Sequence, residues 1–259
     1  MHLFDEVRPA TVAWLRVLLA AIVVLVVSVR SQRRWTRHDL ALAAVFGIAT
    51  AVMNLCFYLA IDRVALGKSV VIEFIGPIAV AAALTRTRRN TVALVLAVIG
   101  VVVLSGVEID REPLGLVYIL CASAMWAAYI VFGRRVANLD RGMSGLAVGL
   151  VIGGLALTPV GISGSGAVFA SARILALCLL VAMLSSAVGY TIDQHVLRRI
   201  PMRRFAVLLA LLPVTAMVVG LVALSQRPSA LDLVGAALVI AGVVVQERDE
   251  LAPIHEVPA

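Results

Sequence analysis

The chain has 259 residues, of which 62% are hydrophobic and 14% are charged, and its formal net charge is +7. Soluble domains average about 45–50% apolar and about 25% charged residues, so this composition excludes a soluble globular domain and indicates an integral membrane protein. The basic residues form short clusters between apolar segments, which does not indicate a nucleic-acid-binding surface. Cys56, Cys121 and Cys178 are widely spaced within apolar segments, which predicts three buried thiols and neither a disulfide framework nor a zinc site.

Nine apolar segments of roughly 17–25 residues follow one another along the chain, and this length crosses a hydrocarbon core of about 30 Å as a helix. The pattern predicts an all-α integral membrane fold, a polytopic helical bundle. The predicted spans are 9–29, 39–61, 66–84, 91–107, 114–132, 143–162, 173–194, 203–224 and 229–246.

Basic residues concentrate in every second connection between these spans. Loops 30–38, 85–90, 133–142 and 195–204 together carry 14 arginines, whereas the intervening loops carry few. Because Lys- and Arg-rich loops stay on the cytoplasmic side, the pattern predicts a multi-pass protein of the cell (inner/plasma) membrane with a cytoplasmic C-terminus. An odd number of spans then places the N-terminus outside.

Two stretches of the chain align with each other. Residues 54–83 align with residues 190–219 at a constant offset, which places Pro77 on Pro213. The two prolines lie in the third and eighth spans, which are five spans apart. Because successive spans cross the membrane in opposite directions, an odd separation gives the second copy the opposite orientation and predicts two inverted-topology repeats. The alternative is that apolar sequence of low complexity aligns by chance.

Similar short segments close the two stretches: "AVIGVVV" at 97–103 and "VIAGVVV" at 239–245. The predicted organisation is a first repeat over 1–107, a second repeat over 114–246 and a cytoplasmic tail over 247–259.

Three segments carry a resemblance to a known family. They are "FGIATAVMNLCFYLAIDRVALGKSVVIEFIGPIAVA" (46–81), "ASAMWAAYIVFGRR" (122–135) and "SSAVGYTIDQHVLRRIPMRRF" (185–205). The chain resembles the EamA-type drug/metabolite transporter superfamily, and most closely its threonine and homoserine exporter branch. Such exporters have ten helices in two inverted halves, so the resemblance implies nine spans of an expected ten, with the first helix of the first repeat lacking.

Glu73 is an ionisable residue within the apolar segment "VIEFIGPIAVAAAL" (71–84). Such residues usually face the bundle interior and serve function. Arg16 and Glu73 each lie about seven residues from the outer ends of their spans, and Asn54 lies at a similar level. We predict that these three face one another and that Glu73 takes part in proton coupling. A structural ion pair, or an Arg16 side chain that extends to the surface, is the alternative.

Further polar and aromatic residues share helical faces through i, i+3 and i, i+4 spacing. The candidate pairs are Asn54 with Tyr58, Trp126 with Tyr129, and Tyr190 with Asp193 or Gln194. An acidic group, aromatic faces and an arginine or amide suit the ammonium and carboxylate that an amino-acid exporter holds. An interfacial aromatic belt, and a solvated helix end at Asp193, are the alternatives.

Gly76 and Pro77 form a predicted hinge. Proline leaves the Glu73 carbonyl without its helical partner and kinks the helix, and Pro213 occupies the aligned position in the second repeat. Paired kinked helices often mark a transporter's binding region, although membrane helices also tolerate proline without such a role.

We therefore expect a secondary active transporter that exports small amino acids or related metabolites, threonine- or homoserine-like, by proton-coupled alternating access. Its partners are the small-molecule substrate and the lipid bilayer, with a homodimer left open, since "GLVIG" (149–153) suits close packing within the chain better than dimerisation. No zinc, phosphate-loop or acidic metal motif occurs, so we expect neither an enzyme nor a cofactor. The alternative is a non-transporting or degenerate membrane protein that needs a partner chain to complete its bundle.

Overall fold

The structure, a computed structural model, describes residues 7–28, 35–64, 66–105, 112–139, 143–212, 214–215, 218 and 229–245. Among these residues the regular secondary structure is helical, which agrees with the predicted all-α class. The helices are α1 (Pro9–Ser28), α2 (Arg37–Ile61), α3 (Leu66–Glu73), α4 (Ile75–Ala83), α5 (Arg88–Ser105), α6 (Pro113–Ala137), α7 (Ser144–Gly161), α8 (Gly166–Ala170), α9 (Ala172–Val181), α10 (Gly189–Arg199), α11 (Met202–Leu208) and α12 (Ala230–Val245). A 3₁₀ turn (Ile162–Gly164) follows α7, and a π-helical turn (Ala182–Val188) joins α9 to α10.

Local sequence signals explain where several helices begin. The Thr36 side chain accepts a hydrogen bond from the Asp39 backbone N–H at 3.1 Å, and the Asp39 carboxylate accepts one from the Thr36 N–H at 3.4 Å, so the two form a capping box before α2. Pro113 opens α6, where its missing N–H costs no helical hydrogen bond.

Five helical stretches of the described residues are long and apolar enough to cross a membrane. They are Pro9–Ser28, Arg37–Ile61, Pro113–Ala137, Ser144–Gly164 and Ala172–Arg199. Each overlaps a predicted span, whereas the count of nine and the inverted relation of the repeats stay predictions. The predicted span 66–84 is divided into α3 and α4 at Phe74, beside the predicted hinge. Much of the predicted span 203–224, with Pro213, lies outside the described residues.

The chain forms two compact units. The first contains Met1–Gly76 and Ile109–Arg198, and the second contains Pro77–Glu108 and Arg199–Ala259. In the first unit, α2 packs against α6 and α7, and α1 packs against α7; in the second, α5 packs against α12. Each unit takes segments from both predicted repeats.

The polarity of the first unit is that of a protein in a bilayer. Large apolar side chains face outwards, with Val27 75% and Leu184 64% exposed. Polar side chains such as Thr50, Asn54 and Ser186 are instead buried. Lipid offers polar groups no hydrogen bonds, so their burial among helices is the arrangement that a membrane setting requires.

The three cysteines are free thiols, as predicted. Cys56 and Cys178 are buried, but the expectation of burial is wrong for Cys121, which is only half-buried. Its neighbours on α6, Val117 and Leu120, are 60% and 51% exposed, so this side of the helix turns outwards.

Glycines allow α2 and α7 to cross at close range. A Cβ atom at position 47 would lie 1.8 Å from the Gly149 carbonyl oxygen, and one at position 153 would lie 2.3 Å from the Gly47 carbonyl oxygen. The predicted packing of the 149–153 glycine pair within the chain is therefore confirmed. This crossing sets the distance between two of the helices around the polar interior, because any larger side chain would force the backbones apart.

We expect Gly47→Ala to lower the free energy of unfolding by about 1–3 kcal/mol, because the added methyl group meets backbone atoms that cannot rotate away. Gly189→Ala is the matched control: a Cβ at that helical position meets no atom within 4 Å. Thermal unfolding of the purified variants in detergent measures the difference. Equal stability of the two variants would contradict the close crossing.

Candidate functional site

Arg16 lies on α1 and directs its guanidinium towards polar groups on other helices. Its Nε donates to Ser186 Oγ at 2.6 Å, and its Nη1 donates to the Tyr58 hydroxyl at 3.0 Å. The guanidinium carbon also lies 5.7 Å from the centroid of the Tyr58 ring, a distance suited to cation–π attraction. The Arg16 side chain is therefore engaged within the helices, which argues against the alternative that it extends to the surface.

Ser186 reaches Arg16 from the π-helical turn between α9 and α10. Its side chain is fully buried, and the turn is one of the wider helical turns that recur at functional positions. A π-helical turn displaces the register of the residues that follow, so 3.6-residue periodicity applied to the sequence does not find Ser186. The only sequence signal was a pair of serines within an apolar span.

Asn54 on α2 binds Tyr190 on α10. The Asn54 Nδ2 donates to the Tyr190 hydroxyl at 2.7 Å and to the Thr50 carbonyl at 2.7 Å. Both side chains are buried, with Asn54 4% and Tyr190 6% exposed. This contact joins the two helices by a polar interaction within their membrane spans.

Tyr129 on α6 binds Asp193, one turn after Tyr190 on α10. The Tyr129 hydroxyl donates to Asp193 Oδ2 at 2.8 Å, and the Tyr129 ring centroid lies 5.7 Å from that of Tyr190. Phe46 on α2 packs on the other side, with its ring centroid 5.3 Å from that of Tyr129. Asp193 is therefore a bonded, half-buried carboxylate rather than a freely solvated helix end.

Glu73 is the last residue of α3 and is buried, with 9% of its surface exposed. It lies close enough to the Arg16 guanidinium for the two charges to interact. Among the described residues it makes no direct hydrogen bond. Placing a charge at the centre of a membrane helix costs about 2.5–3.5 kcal/mol on insertion scales, so the Arg16 charge is the main offset available to an ionised Glu73.

Phe74 and Gly76 hold this end of α3 and the start of α4 against α6. The Phe74 and Trp126 ring centroids are 5.1 Å apart in an edge-on arrangement. A Cβ atom at Gly76 would lie 2.1 Å from the Ser123 carbonyl oxygen, so glycine permits direct backbone contact there. Trp126 thus contacts the residue next to Glu73, and the chain passes from one compact unit to the other between Gly76 and Pro77.

Two groups of residues together form what we call the polar cluster: Arg16 with Tyr58, Ser186 and the nearby Glu73, and Asn54 with Tyr190, Tyr129 and Asp193. The two groups are adjacent on α2, where Asn54 and Tyr58 are one turn apart. All belong to the first compact unit. The cluster contains one cation, two carboxylates and three tyrosine hydroxyls, groups that together match the two charges of an amino acid.

Known proteins identify the family. The EamA-like transporter family matches residues 113–246. The threonine/homoserine exporter RhtA of Escherichia coli K12 is 32% identical over 242 residues, which cover 92% of this chain and 82% of that protein. The chain belongs to the EamA-like transporter family. EamA proteins are transporters and not enzymes, as the sequence led us to expect, and they work in membranes.

A second relative agrees with this placement in the EamA family, and a solved structure shares the fold. RhtA of Salmonella typhimurium LT2 is 31% identical over 242 residues, covering 92% of this chain and 82% of that protein. A solved crystal structure has the same fold, with a TM-score of 0.74 at 16% sequence identity, and covers 94% of this chain and 88% of that chain.

The EamA chain brings together the residues that the sequence grouped on separate helices. Asn54, Arg16 and Glu73, predicted to face one another, all belong to the polar cluster, although Asn54 binds Tyr190 rather than either charged residue. The transport role of each residue stays a prediction, as does the hinge role of Gly76 and Pro77. The remaining predicted hinge residue, Pro213, lies outside the described residues.

We expect Tyr129 and Asp193 to be energetically coupled. A double-mutant cycle with Tyr129→Phe and Asp193→Asn, measured by reversible unfolding in detergent, should give a coupling energy of about 0.6–1.7 kcal/mol, the range found for polar contacts between membrane helices. The pair Tyr118→Phe and Asp193→Asn serves as the control. Additive effects for Tyr129 and Asp193 would contradict the 2.8 Å hydrogen bond.

Proposed function

We propose that this EamA-family protein exports small amino acids of the threonine and homoserine type from the cytoplasm. The observation that carries the proposal is Arg16, half-buried and hydrogen-bonded to Tyr58 and Ser186, together with the buried carboxylate of Glu73, in helices whose outer surface is apolar. The relatives support the substrate class, because the proteins 31–32% identical to this chain are threonine/homoserine exporters.

The charges suit an amino-acid zwitterion. The Arg16 guanidinium forms charge-assisted hydrogen bonds of the kind that bind a substrate carboxylate. A carboxylate of the polar cluster, Glu73 or Asp193, suits the substrate ammonium, and the tyrosine rings add cation–π attraction. Among the described residues, Arg16 donates hydrogen bonds to the hydroxyls of Ser186 and Tyr58, which are neutral groups that a substrate carboxylate displaces at small electrostatic cost.

Proton coupling is the second part of the proposal, and it rests on Glu73. Besides the nearby Arg16 charge, two partners can neutralise a buried carboxylate that makes no hydrogen bond among the described residues: a proton or a substrate ammonium. These two states exclude each other. Exchange of one for the other links proton entry to substrate exit.

Alternating access is the third part, and the predicted inverted repeats support it. Asn54 and Tyr190, which align with each other at the repeat offset of 136, are hydrogen-bonded. In the second unit, Gly100 and Gly242 occupy the same position of the two closing segments, and both lie where α5 and α12 meet at close range. Equivalent residues come into contact in this way near a pseudo-two-fold axis.

We expect Glu73→Gln to reduce proton-driven efflux of threonine and homoserine by roughly tenfold or more, since a hydrogen bond to a charged group contributes about 1.5–3 kcal/mol. Efflux is measured in proteoliposomes under an imposed pH gradient, at matched protein content. Wild-type transport should also stop when a protonophore removes the gradient.

Asp62→Asn is the control, because it neutralises an exposed carboxylate that lies 3.7 Å from Arg63 beyond the end of α2. Wild-type efflux that ignores the pH gradient would contradict proton coupling while leaving export intact. Wild-type protein that moves neither amino acid would contradict the substrate assignment and favour the alternative of a bundle that needs a partner chain.

A further inference from the structure

The Arg16 guanidinium has two edges that can bind a carboxylate through a pair of parallel hydrogen bonds. One edge consists of Nε and Nη2, and the other consists of Nη1 and Nη2. A hydroxyl from another segment is bound on each edge: Ser186 Oγ accepts from Nε at 2.6 Å, and the Tyr58 hydroxyl accepts from Nη1 at 3.0 Å. A carboxylate that binds Arg16 through two hydrogen bonds therefore displaces one of these two hydroxyls.

The two hydroxyls differ in how they are held. Tyr58 makes two interactions with Arg16, because its ring centroid also lies 5.7 Å from the guanidinium carbon, in addition to its hydrogen bond. Ser186 is joined to Arg16 by a single hydrogen bond. The Nε–Nη2 edge is therefore the one that a carboxylate opens more easily.

The predicted repeat offers a comparison for Ser186. At the repeat offset of 136, Ser186 aligns with Thr50 of α2, and the next two residues are Ala-Val in both copies. Thr50 is buried in a regular α-helix and donates to the Phe46 carbonyl, four residues earlier, at 2.8 Å. This is a common bond for a hydroxyl side chain within a helix. Ser186 is also buried, but it lies in the π-helical turn and is bound by the guanidinium.

We infer that a substrate carboxylate binds the Nε–Nη2 edge of Arg16 by displacing Ser186, and that Ser186 takes this edge again when the substrate leaves. Ser186 is then a positioning residue, which holds the guanidinium in the empty transporter and competes with the substrate for it. Once displaced, its hydroxyl can donate to the Ala182 carbonyl, four residues earlier, as that of Thr50 does to Phe46. This inference rests on the proposed function and identifies the group that sets how readily the substrate is released.

The test compares threonine binding by wild type and by Ser186→Ala. Loss of a competing hydrogen bond strengthens binding, so we expect Ser186→Ala to lower the Kd for threonine by roughly threefold or more. The Kd is measured from the dependence of the unfolding temperature of the purified full-length protein on threonine concentration. A purely structural role predicts the opposite, because a disturbed site binds the substrate more weakly.

Ser185→Ala is the matched control. Ser185 lies in the same π-helical turn, one residue before Ser186, but it is exposed. The same loss of a hydroxyl there should leave the Kd for threonine unchanged. Ser186→Cys is a second variant, which nearly keeps the shape of serine and replaces its oxygen with a weak sulfur acceptor, so it should also lower the Kd.

The outcomes separate the inference from the proposed function. Equal or weaker threonine binding by Ser186→Ala overturns the inference, and Ser186→Cys decides by the same comparison if the alanine variant does not fold. Tighter binding by Ser185→Ala as well also overturns it, because the effect would then belong to the turn and not to the bond with Arg16. Wild-type protein that is neither stabilised by threonine nor able to export it overturns the proposed function itself.

Discussion

The position of the Arg16 charge among the helices is the constraint on which the polar interior of the first unit depends. A guanidinium in the middle of an apolar helix requires hydrogen-bond acceptors and a counter-charge, because lipid supplies neither. Tyr58 and Ser186 provide the acceptors, and Glu73 provides the charge. One side chain therefore joins α1, α2 and the π-helical turn by hydrogen bonds and interacts with α3 through the charge of Glu73. In the proposed function, a substrate carboxylate bound to Arg16 would act on all of them together.

Close packing places these segments where Arg16 reaches them. Gly47, Gly149 and Gly153 bring α2 and α7 into backbone contact, and Gly76 does the same for α4 and α6. Helices in lipid associate through such contacts and through polar bonds, since burial of apolar surface adds little there. The glycines and the polar cluster thus have complementary roles: the glycines fix the distance between helices, and the cluster fixes which faces meet.

Much of the architecture was accessible from the sequence because it depends on local patterns. Span length located the long helices, spacing grouped Tyr190 with Asp193 and Gln194, and the intramembrane charges singled out Arg16 and Glu73. The sequence did not predict which side chains bind each other across helices, because this depends on how the helices pack. Asn54, for example, binds Tyr190 rather than a charged residue. Ser186 was missed because a π-helical turn alters the helical register. The partial exposure of Cys121 depends on which face of α6 points away from the neighbouring helices.

The central claim is that Arg16 forms part of the substrate site. Its most direct test is the stabilisation of purified protein by threonine, because a ligand that binds only the folded state raises the unfolding temperature according to its affinity. The account predicts that threonine raises the unfolding temperature of wild type and of Arg37→Gln, whose arginine is exposed at the start of α2, but not of Arg16→Gln. An Arg16→Gln variant that folds and is stabilised by threonine as strongly as wild type would contradict it.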